Sequence, residues 1–301
     1  MSLSIRELKS LQWQHYLVLT KPKVIVLMLV TMVIGMFMAQ QEINWFTAVF
    51  SLLGVALCSA SAAVINHVAD RHIDKKMLRT QSRPMAQGTI NIDHAIFFAS
   101  LLGVIGWVIL LVLVNQLTAY LTLLGVIGYA FIYTFFLKRA TPQNIVIGGL
   151  AGAIPPLLGW TAMSNEIHPH ALLLTLIIFA WTPPHFWALA IHREKEYAKA
   201  KIPMLPVTHG KKFTAVFILL YCIILLAVSL LPFAVKMSGI IYIIAALTLG
   251  IYFIYLSLTI LQNKKHAAIK TFKYSIIYLF ALFVAMMVDQ IFLDITLPLR
   301  S

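Results

Sequence analysis

Charge is scarce in this chain. Only 11% of its 301 residues are Asp, Glu, Lys or Arg, against about 25% in an ordinary soluble domain. A soluble fold of this length would lack solvating groups, so that class is excluded. Acids are scarcer than bases, 10 against 23. Cysteine is nearly absent: Cys58 and Cys222 both lie in apolar runs, which excludes a disulfide framework and a thiolate site with metal-ligand spacing. No stretch is long and polar enough for a separate soluble domain, so 1–301 reads as a single integral-membrane domain. The first twenty or so residues lack the compact apolar region and small-residue cleavage site of a secretory signal, and none is expected.

What the chain has instead is apolar sequence, 61% of its residues. It comes in blocks of about twenty, the length that crosses a bilayer. Nine spans are predicted, over 22–39, 46–66, 94–114, 117–137, 143–163, 170–191, 213–233, 238–261 and 273–293. The fold class is therefore all-α and polytopic. Connectors after the odd spans are short and almost free of Lys and Arg, while those after the even spans are basic. Of the 23 Lys and Arg, all but Lys236 and Arg300 fall on one side. The positive-inside rule makes that side cytoplasmic, with the N-terminus inside and the C-terminus outside. The formal charge of +13 thus reports topology and contact with anionic membrane lipid, with a share left for a phosphate ligand. Nucleic acid is not the expected partner.

Polar residues gather in two stretches. The first is NHVADRHIDKKMLRTQSRPMAQG, Asn66 to Gly88. Asn66, Asp70 and Asp74 recur every four residues, so on a helix they share a face with a drift of roughly 40° per step. Oxygen ligands in a row at the end of a membrane helix suit Mg²⁺, which is held by one or two carboxylates together with substrate phosphates. Arg71, Lys75, Lys76, Arg79 and Arg83 accompany them, and arginine forks match phosphate oxygens. Carboxylates for metal beside bases for phosphate describe a site for a diphosphate ester. The other reading is a polar loop whose acids pair with its bases, but such a loop needs no period.

The second stretch is WTPPHFWALAIHREKEYAKAKIPMLPVTHG, Trp181 to Gly210. Pro183 and Pro184 start or kink a helical segment. On a continuing helix His185, His192 and Glu196 fall within roughly 40° of one another, with Tyr197 and Lys199 following. An ionisable cluster at a membrane boundary is a site candidate. A buried, hydrogen-bonded histidine is the alternative for His185, and an ion pair with a neighbouring Lys for Glu196. Span five crowds Gly148, Gly149, Gly152, Pro155, Pro156 and Gly159. Close helix packing and a ligand role are both open there.

The run Asp70-Arg71-His72-Ile73-Asp74, with Met77, Arg79-Thr80 and Arg83-Pro84, resembles the first aspartate-rich motif of the UbiA-type membrane prenyltransferases, in the heme O synthase branch. Pro183-Pro184-His185-Phe186-Trp187 and Ile202 to Pro206 resemble its second motif. Tyr133-Thr134, Leu137-Lys138-Arg139, Thr141 and Asn144 through Gly149 look like the same branch. Matches run from Lys21-Pro22 to Pro206, about two thirds of the chain. The chain departs in having Glu196 where Asp is usual, and His192, a poorer Mg²⁺ ligand, in place of a second carboxylate.

The resemblance implies nine helices around a central cavity in an inner membrane. It implies farnesyl diphosphate as donor, heme B as acceptor, Mg²⁺ as cofactor and a heme A synthase downstream. Asn66, Asp70, Asp74 and Glu196 become catalytic residues acting through Mg²⁺. Arg71, Lys75, Arg79, Arg83, Lys138, Arg139, Tyr133, Tyr197 and Lys199 become substrate contacts. His185 and His192, with His67 and His72, are candidates for heme iron or a propionate. Trp160, Trp181, Phe186 and Trp187 either line the porphyrin or anchor the membrane interface. Two rival functions are a UbiA-type enzyme for an aromatic acid or quinone precursor and a transporter of an anionic lipid. Transporters tend to carry internal repeats, and none is found.

Overall fold

Inside a bilayer the backbone finds no water, so an apolar segment must satisfy its own N–H and C=O groups, as a helix does. The apolar blocks fold accordingly. The structure is a computed structural model describing residues 13–39 and 43–296; the side chains of Arg139 and of 293–296 lie outside that description. Among the described residues nine helical spans are long and apolar enough to cross a membrane, and there is no strand.

Helices α1 (Pro22–Ala39), α2 (Trp45–Asp74) and α3 (Ile92–Leu113) come first. The fourth span is α4 (Gln116–Ile127), continued by a π-helix over Gly128–Leu137. The fifth is divided at Pro155 into α5 (Asn144–Ala153) and α6 (Pro155–Ser164). Then come α7 (Pro169–His192), the short α8 (Glu194–Lys199), α9 (Leu205–Ala234), α10 (Ile240–Leu261) and α11 (Ala267–Thr296).

All nine predicted spans are present. The largest differences lie at the basic end, where α2 runs on to Asp74, α9 starts at Leu205 and α11 at Ala267. Backbone bonding continues there into polar sequence that hydropathy does not register. In α9 the extension is a separate turn. Gly210 interrupts it at φ 82°, ψ 165°, in the left-handed half of backbone space that glycine enters without a Cβ penalty.

Apolar side chains face outward, as lipid requires. In α1, Val24, Val26, Leu27, Val30 and Val33 are exposed while Met32, Ile34, Gly35 and Met36 are buried. Small residues set the closest approaches. A Cβ on Gly159 would lie 2.0 Å from the Met32 carbonyl oxygen, and one on Gly35 2.0 Å from that of Pro156. Helices α1 and α6 therefore meet backbone to backbone. Far from the basic loops, buried Asp289 of α11 accepts from the N–H groups of Gly239, Ile241 (3.0 Å) and Tyr242 (3.3 Å). A carboxylate is favoured at the positive end of a helix dipole, so this acid fastens the start of α10.

Candidate active site

Helix α2 carries the row into the bundle. Asn66, Asp70 and Asp74 are only 4%, 2% and 3% exposed, so their oxygens need partners. Those partners come from three other segments. Asn66 Nδ2 donates to Asp70 Oδ2 (3.0 Å) and to Thr134 Oγ1 (3.3 Å), and Asn66 Oδ1 accepts from Lys21 Nζ (2.5 Å). Asp70 Oδ2 also accepts from Lys138 Nζ at 2.5 Å. Arg83 Nη1 bridges both oxygens of Asp74, at 3.1 and 3.0 Å. The loop reading therefore holds only for the Asp74–Arg83 pair. Lys138, from a distant segment, neutralises Asp70, and Lys21 donates to the uncharged amide of Asn66.

Lys21 is a site residue that sequence reasoning left without a role: it counts there as topological charge and, with Pro22, as the start of the family match. It sits just before α1 with φ 53°, a left-handed conformation that costs a non-glycine residue about 1–2 kcal/mol. Burial pulls its pKa down to about 8, helped by the positive charges of Arg83 and Lys138. Its signals in the sequence are a base set against the start of an apolar span and its place, with Pro22, at the head of the family match.

The π-helix explains how Lys138 arrives. Nine residues after Tyr129, an α-helix would have turned Lys138 to the opposite face at 3.6 residues per turn. The wider i→i+5 turns bring Tyr129, Tyr133, Thr134 and Lys138 together. Thr134 Oγ1 donates to Tyr129 O at 2.8 Å, five residues back, and Tyr129 stacks on Tyr133 with centroids 5.6 Å apart. Gly148 of α5 makes room for that stack, since a Cβ there would meet Tyr133 Cδ2 at 2.2 Å. Gly149 likewise faces Thr182 at 2.8 Å. At these positions the glycine cluster of span five is packing.

The second stretch differs from its prediction. Pro183 and Pro184 lie inside α7 rather than starting it, and the chain leaves helical geometry at Arg193 (φ −111°, ψ 22°). Glu196 on α8 therefore does not share a helix with His185 and His192. Glu196 Oε1 lies 3.5 Å from Arg193 Nη1, an arginine rather than the predicted lysine. Tyr197 is buried, and burial pushes its pKa up; Arg79, Arg193 and Glu196 are its charged neighbours. Tyr133 in turn has Tyr129, Asp70 and Tyr197 as its electrostatic neighbours, so the two motifs meet around these tyrosines.

Among the described residues the other predicted residues make no hydrogen bond to the row. Lys75, Arg79, His192, Lys199 and His72 are exposed, and Arg71 Nη1 donates to Val68 O of its own helix at 2.8 Å. The side chain of Arg139 lies outside the described residues. His67 is 1% exposed, and among the described residues neither ring nitrogen has a hydrogen-bond partner. Trp187 is fully buried against Phe217 and Tyr221. Trp160 stacks on His168, towards the other end of its span. Only Trp181 and Phe186 of the four candidate aromatics pack on His185.

The donors fit Mg²⁺. Among the described residues Asp70 Oδ1 and Glu196 Oε2 are buried with no hydrogen-bond partner, one free carboxylate oxygen in each motif. Among the described residues no three His, Cys, Asp or Glu converge into a protein-only cage. An ion that shares its shell with substrate phosphates and water needs none.

Buried carboxylates, ammonium groups and a guanidinium converging at one end of an apolar bundle define a polytopic membrane enzyme suited to a charged ester with an apolar tail. The chain belongs to the UbiA prenyltransferase family, which matches residues 28–286. It is 58% identical over 290 residues to protoheme IX farnesyltransferase 1 of Pseudomonas putida KT2440, covering 96% of this chain and 97% of that protein. It is 59% identical over 280 residues to protoheme IX farnesyltransferase of Saccharophagus degradans, covering 92% of each. Among solved structures, a digeranylgeranylglyceryl phosphate synthase shares the fold with a TM-score of 0.79 at 23% identity, over 93% of this chain and 98% of that one. A UbiA homologue from Archaeoglobus fulgidus, bound to GPP and Mg²⁺, has a TM-score of 0.64 at 16% identity, over 90% and 99%.

Proposed function

We propose that this protein, working as one domain, transfers the farnesyl group of farnesyl diphosphate to a vinyl carbon of protoheme IX and so makes heme O. The observation that carries the donor half is the buried row on α2, with Asp70 Oδ1 unpaired among Lys21, Lys138 and Arg83. The acceptor is supported by relatives of that name at 58–60% identity, which favour heme over an aromatic acid or quinone precursor.

Asn66, Asp70, Asp74 and Glu196 are the residues that would hold Mg²⁺. Bound there, the ion supplies positive charge to the departing diphosphate oxygens. Lys138, Arg83, Arg79, Arg71, Lys75 and Arg139 are the basic groups for the same oxygens. The allylic C–O bond breaks with its electron pair leaving on diphosphate. The aromatic faces of Tyr129 and Tyr133 suit the positive charge left on the allylic carbon, and the isoprenoid tail lies among apolar helices. The heme vinyl π electrons form the new C–C bond. Water then captures the cation beside the porphyrin ring and gives up a proton, completing the hydroxyethylfarnesyl group. On the heme side, His185 is the iron contact, and His192, Tyr197 and Lys199 offer polar groups to a propionate.

The test is direct. Purified protein given heme B, farnesyl diphosphate and Mg²⁺ should convert the heme to a product heavier by one farnesyl group and one hydroxyl group. Unchanged heme beside intact farnesyl diphosphate overturns the assignment.

The protein sits in the inner membrane with its N-terminus and basic loops cytoplasmic, delivering heme O to a heme A synthase. The split of Lys and Arg supports that orientation. A reporter fused after Ser301 should read as external and one inserted within 264–270 as cytoplasmic. Both on the same side would break the nine-span orientation.

A further inference from the structure

The interface between α7 and α11 holds a polar arrangement that the diphosphate site does not use. Trp181 and His185 lie one turn apart on α7, and Ser275 of α11 engages both. Its carbonyl accepts from Trp181 Nε1 at 2.7 Å, and its hydroxyl lies 2.6 Å from His185 Nδ1. Ser275 has no exposed surface, so water does not compete for these bonds.

A third bond sets the direction of the second. Ser275 Oγ donates its one proton to Phe272 O at 2.6 Å. Toward His185 the hydroxyl is therefore an acceptor, and Nδ1 must carry the proton. A neutral imidazole protonated on Nδ1 has its lone pair on Nε2. Among the described residues no hydrogen bond reaches that nitrogen, and His185 keeps 8% of its surface exposed. The ring itself is held by aromatic neighbours. Trp181 stacks on it at 4.2 Å and 22°, Phe272 lies at 4.6 Å and 33°, and Phe186 meets it edge-on at 4.9 Å.

We propose that Ser275 is a positioning residue that holds His185 with its proton on Nδ1, presenting the Nε2 lone pair as an axial ligand to the iron of the porphyrin acceptor. The inference rests on the reading of His185 as the heme contact. Its physical basis is general: a ligating histidine donates its other N–H to an oxygen acceptor, which fixes both ring orientation and tautomer. Ser275 lies in an apolar span with no motif around it, so nothing in the sequence singles it out. Its role appears only when α11 is packed on α7.

The experiment is a heme B titration of the full-length purified protein, followed by absorbance and electron paramagnetic resonance. His185→Ala should lose the imidazole-ligated signature, and added imidazole should restore it. Ser275→Ala should weaken heme binding about tenfold and give a mixed ligation spectrum. Ser275→Thr, which keeps the hydroxyl, should return both to the parent values. If Ser275→Ala does not fold, Ser275→Cys, a poorer acceptor, carries the same expectation. Parent spectrum and affinity in the Ser275 variant, with ligation lost in His185→Ala, overturn the role of Ser275 and leave the heme contact standing. A parent spectrum in His185→Ala removes the heme contact, and this inference with it.

Discussion

Asp70→Asn should lower farnesyl transfer by about 10²–10³-fold while the protein still inserts and folds. The expected size follows from the several kcal/mol of charge stabilisation that a bound cation gives a developing anion, at about 1.4 kcal/mol per factor of ten. Asp70 Oδ2 accepts from Asn66 Nδ2 and Lys138 Nζ, and an amide oxygen can take both of those bonds. Oδ1, buried with no partner, becomes an NH₂ group that repels a cation. The change thus keeps the packing and removes the ligand. Asp74→Asn should act in the same direction, because the amide oxygen keeps one contact with Arg83 but not the charge. Turnover measured across a Mg²⁺ titration separates the outcomes. Near-parental rates at limiting Mg²⁺ in either variant mean that the row does not bind the metal.

Much of this arrangement is legible in the sequence because the bilayer enforces simple rules. Length and hydropathy give the nine spans, and the period of four puts Asn66, Asp70 and Asp74 on one face. What stays hidden depends on three-dimensional partners. Lys21 looks like any juxtamembrane base until the packing brings its ammonium to Asn66. The π-helix over Gly128–Leu137 leaves no hydropathy signal, since its residues are as apolar as those of an α-helix. Yet it decides which way Lys138 points. The break at Arg193 is invisible because the following residues, Glu194-Lys195-Glu196, are good helix formers. Asp289 and Ser275 both sit in α11, whose surroundings look uniform, and only their partners on α10 and α7 give them roles.

The same chemical change at two glycines of span five should have opposite consequences. Gly159→Ala places its methyl 2.0 Å from the Met32 carbonyl oxygen, with Met32 C and Met36 N at 2.9 and 3.0 Å. Every obstacle there is backbone, so α1 and α6 must separate, and the reciprocal contact of Gly35 with Pro156 goes with them. Overpacking in a close-packed interior costs about 1–3 kcal/mol, occasionally more, and here no side chain can turn aside. The expected result is a lower melting temperature in detergent and poor recovery, with turnover per folded molecule little changed. Gly148→Ala instead meets the Tyr133 ring, at 2.2 Å from Cδ2. A ring can move, so the fold should survive, but the movement displaces Tyr133 from its stack with Tyr129 beside the row. Misplacing a site group by about 1 Å can cost up to about a hundredfold, and a loss of at least tenfold in turnover is expected at nearly parental stability. Two results contradict this account. One is full activity in Gly148→Ala, which separates Tyr133 from the chemistry. The other is parental stability in Gly159→Ala, which means that α1 and α6 do not meet backbone to backbone.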